Sequence, residues 1–342
     1  MTYHRRIVAI ALAMLTVLTL LFSLSAGQYD LNFVHVAAWS CRQLGLPFFQ
    51  DVQIFSQQEA VLMYIRLPRT LVGFMVGAGL AASGCILQGL FSNPLADPGI
   101  IGVSSGATVG AVLAITLGVN TVNMFAMPAF AFIGALLAVM LTIGLATRNG
   151  RIPVLTLLLS GVVVGMLLGA ITAAMLVVMD EYKLQQYLFW TIGSLDYRRW
   201  EHVLMGIGPV AVGIAIMLLM ARHLNILALG EAEAKAVGMP VGRYRLILLL
   251  VSAMTTATSV CISGSIGFVG LIIPHMMRML VGPNHKYLLP ASIVAGGVFL
   301  LFCDSLGRIL IEKHEVNVGI MTAFLGTPYF LYLLRKNSNI DR

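Results

Sequence analysis

Charge is what this 342-residue chain has least of: Asp, Glu, Lys and Arg together make up 10% of it, against about a quarter of an ordinary soluble domain. That scarcity excludes a conventional water-soluble fold. Cysteine is equally sparse. Cys41, Cys85, Cys261 and Cys303 are scattered, three of them in apolar runs, with neither disulfide-framework nor metal-ligand spacing. None of the five lysines follows a glycine, which excludes the Gly-Lys-Ser/Thr ending of a phosphate-cradling loop. Any ATP hydrolysis must come from another chain. His314-Glu315 opens like a zinc-protease motif, but Val318 stands where the second histidine belongs. The Gly-x-Ser runs lack an elbow context and a base. The chain is therefore expected to carry no catalytic residue, no metal and no cofactor of its own, and its net charge of +7 needs no nucleic acid, since anionic lipid and cytoplasmic loops account for it.

What is present is apolar length. The chain is 59% hydrophobic with a mean hydropathy of +0.92, and each membrane crossing takes about 20 residues, so there is room for roughly ten. The expected fold is an all-α polytopic membrane protein forming one transmembrane domain over 1–342. Spans are read at 7–26, 70–90, 100–118, 122–146, 152–178, 202–221, 244–262, a glycine-broken eighth ending near Arg278, 288–306 and 316–334. The first, with His4-Arg5-Arg6 before it, is longer than a signal-peptide core and reads as a retained span. Two longer mixed loops, 27–60 and 179–200, separate spans. Glycines four apart recur at Gly73/Gly77, Gly102/Gly106/Gly110 and Gly161/Gly165/Gly169, a spacing that lets helix backbones approach closely. Packing within the subunit explains each set; a path-lining or subunit-facing role is the alternative for the third.

Orientation follows from counting. With ten spans, Arg5, Arg6, Arg148, Arg151, Arg222, Lys235, Arg243, Arg245, Arg278, Lys286, Arg335, Lys336 and Arg342 share the side of both termini, 13 of the 21 basic residues. By the positive-inside rule that side is the cytoplasm. It also holds residues 224–245, the one strongly charged stretch that reads as structured. Glu231 and Lys235 form an i,i+4 pair in the favourable order, Gly230 and Gly238 are placed to end two short helices, and Pro240 blocks continuation. A helix–Gly–helix knob between spans is something a soluble partner can grip; a solvated loop is the plainer reading. Within the spans the clear ionisable candidates are Asp304 and Arg308, four apart near the outer end of the ninth. That is thin for an ion-driven carrier, which needs ionisable groups along its path.

Seven stretches together resemble the permease subunits of binding-protein-dependent ABC importers for iron–siderophores, haem and vitamin B12, the FecCD family. They are Arg66-Leu-Pro-Arg69, Asn93-Pro-Leu-Ala-Asp-Pro98 with Gly102-Val-Ser-Ser-Gly106, Leu224-Asn-Ile-Leu-Ala-Leu-Gly-Glu231, Gly267-Phe-Val-Gly-Leu271, Ile273-Pro-His275 with Arg278, Asp304 with Arg308, and Val318-Gly319 with Gly326-Thr-Pro328. One departure is Asn317, where the family commonly has proline. The resemblance implies a type II ABC importer permease in the bacterial inner membrane, with both termini cytoplasmic. It implies a second permease copy, as a homodimer or with a paralogue, two ABC ATPase subunits that use ATP and magnesium, and a periplasmic or extracellular binding protein. It further implies that Leu229, Gly230, Glu231, Ala234 and Gly238 couple to the ATPase, and that Arg66, Arg69 and Arg308 are exposed docking charges. Asn93, Leu95, Val154, Leu155, Gly161 and Gly165 would line or close the path. The cargo would be an iron–siderophore, haem or cobalamin, with an iron complex the commonest use. The rival from another class is a stand-alone secondary carrier or channel for a bulky solute, which leaves the charged knob unexplained.

Overall fold

The computed structural model describes residues 2–29, 31–148 and 152–338; Arg151 and Arg342, counted above, lie outside them. Ten apolar helices carry the fold: α1 (Thr2–Ser25), α2 (Ser56–Leu90), α3 (Val103–Thr116), α4 (Ala126–Ala146), α5 (Val154–Val177), α6 (Trp200–Leu219), α7 (Val241–Ser263), α8 (Val269–Val281), α9 (His285–Ile309) and α10 (Val318–Ser338). Seven of them, α1, α2, α4, α5, α6, α7 and α9, are long and apolar enough to cross a membrane on their own. Helices are the expected solution, because in lipid every backbone group must find its partner within the segment.

One boundary differs from the sequence reading. The second span was expected to start after Arg69, but α2 starts at Ser56 and runs through a π turn at Leu62–Arg66. Pro68 is the reason. Its missing N–H and its ring conflict with regular i→i−4 bonding, and the wider turn just before it absorbs that conflict. Arg66 and Arg69 thus sit within a helix.

α2 is the axis of the molecule. The apolar window of α2 is 83% buried, against 17% for α1 and for α5, and α6, α7, α8 and α9 pack around it. Glycine makes this possible. A Cβ on Gly84 would fall on the carbonyl oxygen of Gly270 in α8, and one on Gly77 on that of Gly296 in α9. Gly106 and Gly110 bring α3 equally close to the α4 backbone at Gly134 and Phe130. The third set divides: Gly161 abuts the carbonyl of Ile100, Gly165 touches only Ser105 Oγ at 3.6 Å, and Gly169 meets nothing.

The loops are folded too. A helix at Phe33–Gln43 buries Val36 and Trp39 against Leu24, Leu31 and Leu62, and another spans Glu181–Ile192. The glycine-rich break between α7 and α8 has positive φ at Gly264 (76°) and Phe268 (70°). Ser194 N–H donates to Ser263 O at its edge (2.8 Å).

Candidate functional site: a charged cavity and a helical knob at opposite poles

The side chains gather into two polar poles. At one, the end of α1, the start of α2, the 193–199 turn, the end of α9 and the 310–317 turn converge. Arg69, on α2, is the hub. Its guanidinium reaches Asp304 of α9 (2.8 Å), Asp196 of the turn (2.8 Å) and Glu315 (2.7 Å). Arg308 pairs with Asp304 (3.1 Å), one helical turn away. Arg66 and Arg308 also hold the end of α1. Arg66 donates to the carbonyls of Leu24, Ser25 and Tyr29, and Arg308 to that of Ala26 and to Ser23 Oγ. A buried charge needs this: without partners its desolvation would cost several kcal/mol.

That geometry corrects the expectation of exposed docking charges. Arg66, Arg69 and Arg308 are 4%, 9% and 3% exposed. Two of them satisfy helix-end carbonyls that lipid would leave unpaired, and the third is surrounded by carboxylates.

Arg69, Asp196 and Glu315 line a cavity of about 900 Å³ that opens at this pole, together with Tyr64, Phe189, Trp190, Tyr197, Arg198, Arg199, Lys313 and Asn317. Burial pushes the Glu315 carboxyl above its usual range, opposed by Arg69 and helped by the hydrogen bond with Asp196. Burial likewise pushes the Arg198 guanidinium down to about 10, with Asp196 resisting and Arg69 assisting, so it stays a cation at neutral pH. Asn317 fits the 310–317 turn in place of a proline: as the residue before α10 it accepts from Ile320 N–H and Met321 N–H (3.0 and 3.2 Å), a capping task for its carbonyl.

The other pole holds the knob. Ala221–Leu227 and Glu231–Ala236 are helices, and Gly230 and Gly238 take φ of 129° and 77°, a region that suits glycine. This is a folded element, not a loose loop. Glu231 pairs with Lys235 (2.6 Å) and Arg245 (3.3 Å), and the Lys235 hydrogen bond above all, with Arg245 adding to it, holds its carboxyl below the usual range against desolvation. Arg245 also donates to Ile152 O (2.8 Å), tying the knob to the chain just before α5. Leu229 and Val237 are 72% and 69% exposed on its outer face. Ala234, expected as a contact, is corrected: it is fully buried, because its helix lies with that side against the apolar cluster containing Leu224, Leu227 and Met239.

Of the expected path residues, Asn93 Oδ1 accepts from Leu95 N–H (2.9 Å) to shape the turn after α2, while Leu95 and Leu155 are exposed on the subunit. Val154 opens α5 behind Pro153. Among the described residues no group of His, Cys, Asp or Glu could hold a metal ion.

Comparison with known proteins gives the chain a family. Residues 15–336 match the model of the FecCD transport family. The chain is 48% identical to the cobalamin import system permease protein BtuC of Halobacterium salinarum over 277 residues, 81% of this chain and 74% of the relative. It is 37% identical to the molybdate import system permease protein MolB of Haemophilus influenzae over 326 residues, 95% of this chain and 94% of that one. A solved structure described as a metal-chelate type ABC transporter in an inward-facing conformation superposes with a TM-score of 0.85 at 36% identity, covering 97% of this chain and 99% of the other.

Proposed function

The chain belongs to the FecCD transport family, and we propose that it is the membrane-spanning subunit of an ATP-driven importer that takes a metal complex from an external binding protein into the cytoplasm. The observation that carries this reading is the knob: a folded, apolar-tipped, charged element at one pole, in a chain with no nucleotide loop of its own. In the proposed assembly two copies flank a central path, two ATPase subunits bind the knobs through Leu229, Gly230, Glu231 and Gly238, and the binding protein docks at the opposite pole. Both termini, with the knob, face the cytoplasm.

Closure of the ATPases on ATP moves the knobs. Because Arg245 links the knob to Ile152, that motion reaches the start of α5, where Val154 and Leu155, with Asn93 and Leu95, close the inner end of the path. α5 presents the copy-facing surface around Gly165 and Gly169, which packing inside the subunit leaves free. Gly161 serves packing inside the subunit. Arg66, Arg69 and Arg308 hold the outer pole in shape. ATP state and the binding protein supply the population shift, and this chain transmits it. The named relatives carry cobalamin and molybdate, and the matching structure is of metal-chelate type, so a metal-containing cargo is the class supported; an iron chelate is the member we favour, on the family's common use.

Tagged purification in mild detergent with the chain's native partners co-expressed tests this. The expected result is a complex of two permeases with two ATPases, lost on changing the knob. A monomer or homodimer without ATPase, from cells that contain one, would sink the reading.

A further inference from the structure

Beside the knob, cations gather without anions. Arg5 of α1 and Lys286 of α9 both stand over the ring of Tyr287, with Arg5 Cζ 4.3 Å and Lys286 Nζ 5.8 Å from its centroid. The two charges are therefore no farther apart than about 10 Å, the reach of a charge in ordinary buffer. They repel, and the ring offsets this only in part. Neither has a carboxylate partner among the described residues. Along α1, α8, α9 and the helix Ala221–Leu227 there is a single carboxylate, Asp304, and it is committed to Arg69 and Arg308 at the other pole. Arg5 is also pinned: its Nε donates to Val281 O at the end of α8 (3.0 Å), which leaves both Nη groups without a partner among the described residues. Lys286 and Tyr287 are exposed.

A pinned guanidinium with its fork unused, a second cation and an aromatic ring make an arrangement that a phosphate ester completes. We propose that Arg5, Lys286 and Tyr287 hold the phosphate headgroup of an anionic lipid, in the leaflet on the knob side, where α1 meets the turn between α8 and α9. The apolar surroundings select a lipid over a free phosphate. α1 runs on from Arg5 as an apolar helix only 17% buried, and Ile7 on it and Met279 and Leu280 at the end of α8 are exposed, so surface for acyl chains begins next to the cations along both helices. The site also touches the knob. Asn225 donates to Asn284 Oδ1 (2.9 Å) and accepts from His285 N–H (2.9 Å), so a lipid seated on this turn braces the knob's base. The proposal goes beyond the importer reading and requires only that the chain sits in a membrane.

The test is native mass spectrometry of the full chain in neutral detergent, titrated with dioleoylphosphatidylglycerol or dioleoylphosphatidylcholine. The glycerol lipid should bind at least about tenfold more tightly, since each basic residue near an anionic lipid contributes about fivefold, and it should raise the melting temperature. Arg5→Gln with Lys286→Gln should abolish that preference. Lys286→Gln alone, at an exposed position, should weaken binding about fivefold, and so keeps the test open if the double variant fails to fold. Arg148→Gln, another basic residue on the knob side, should leave it within twofold. Inorganic phosphate, compared with chloride at equal ionic strength, should not displace the lipid. Equal binding of the two lipids, or phosphatidylglycerol affinity within twofold of the unchanged chain in folded Lys286→Gln, would overturn the proposal. Displacement by inorganic phosphate would assign the cluster to a free anion and overturn the lipid assignment.

Discussion

Asp304 shows most sharply what one side chain does here. It is 1% exposed and sits between two guanidiniums, so Asp304→Asn strands buried positive charge. The expected cost is about 3–5 kcal/mol, read as a large drop in melting temperature in detergent. Glu315→Gln should cost far less, because that side chain is 29% exposed and water screens it. The same residue gives a pH signature. Its folded pKa is raised above the ordinary value of 4.5, so the protonated form favours the fold. That contribution is complete below about pH 4.5 and is lost as pH rises through the raised value. Melting temperature measured against pH should therefore fall over that window in the unchanged chain and fall less in Glu315→Gln. The Asp304–Arg308 pair was legible from its i,i+4 spacing. Arg69 as hub was not, because its partners lie 127, 235 and 246 residues away in sequence.

At the scale of elements, glycine placement and the knob decide behaviour. In α2, Gly84→Ala drives a methyl into the Gly270 carbonyl, and overpacking of this kind costs about 1–3 kcal/mol. Gly144→Ala in α4 meets nothing and should be neutral or slightly stabilising, since glycine is the poorer helix former. A melting series of the two variants checks the contrast. In the knob, Leu229→Asp with Glu231→Arg replaces an exposed apolar tip and breaks both Glu231 pairs. Substrate-stimulated ATPase activity should disappear while the permease itself still folds. The helix–Gly–helix reading of 224–245 came from local rules of pairing and capping, which act over a few residues and are visible in sequence. Which side of Glu231–Ala236 faces out depended on what lay beneath it, so the burial of Ala234 was not legible in the sequence.

For the whole molecule, the two poles make a sidedness test. With Cys41 changed to Ser, the remaining cysteines are buried, so Lys235→Cys should react with a membrane-impermeant thiol reagent only from the cytoplasmic side and Tyr197→Cys only from outside. Labelling of both from one side would contradict the topology. Composition alone determined that this chain lives in a membrane, because no soluble fold can be built with so little charge, and hydropathy placed ten helices because each crossing has a length set by the bilayer. The charge bias and the knob's caps followed from equally local rules. Tertiary structure decided the rest: that α2 is the axis, that α2 begins at Ser56, well before its proline at Pro68, and that the arginines expected on the outer surface are internal struts. Exposure is a property of what packs over a side chain, and in this fold those neighbours come from helices far apart in the chain.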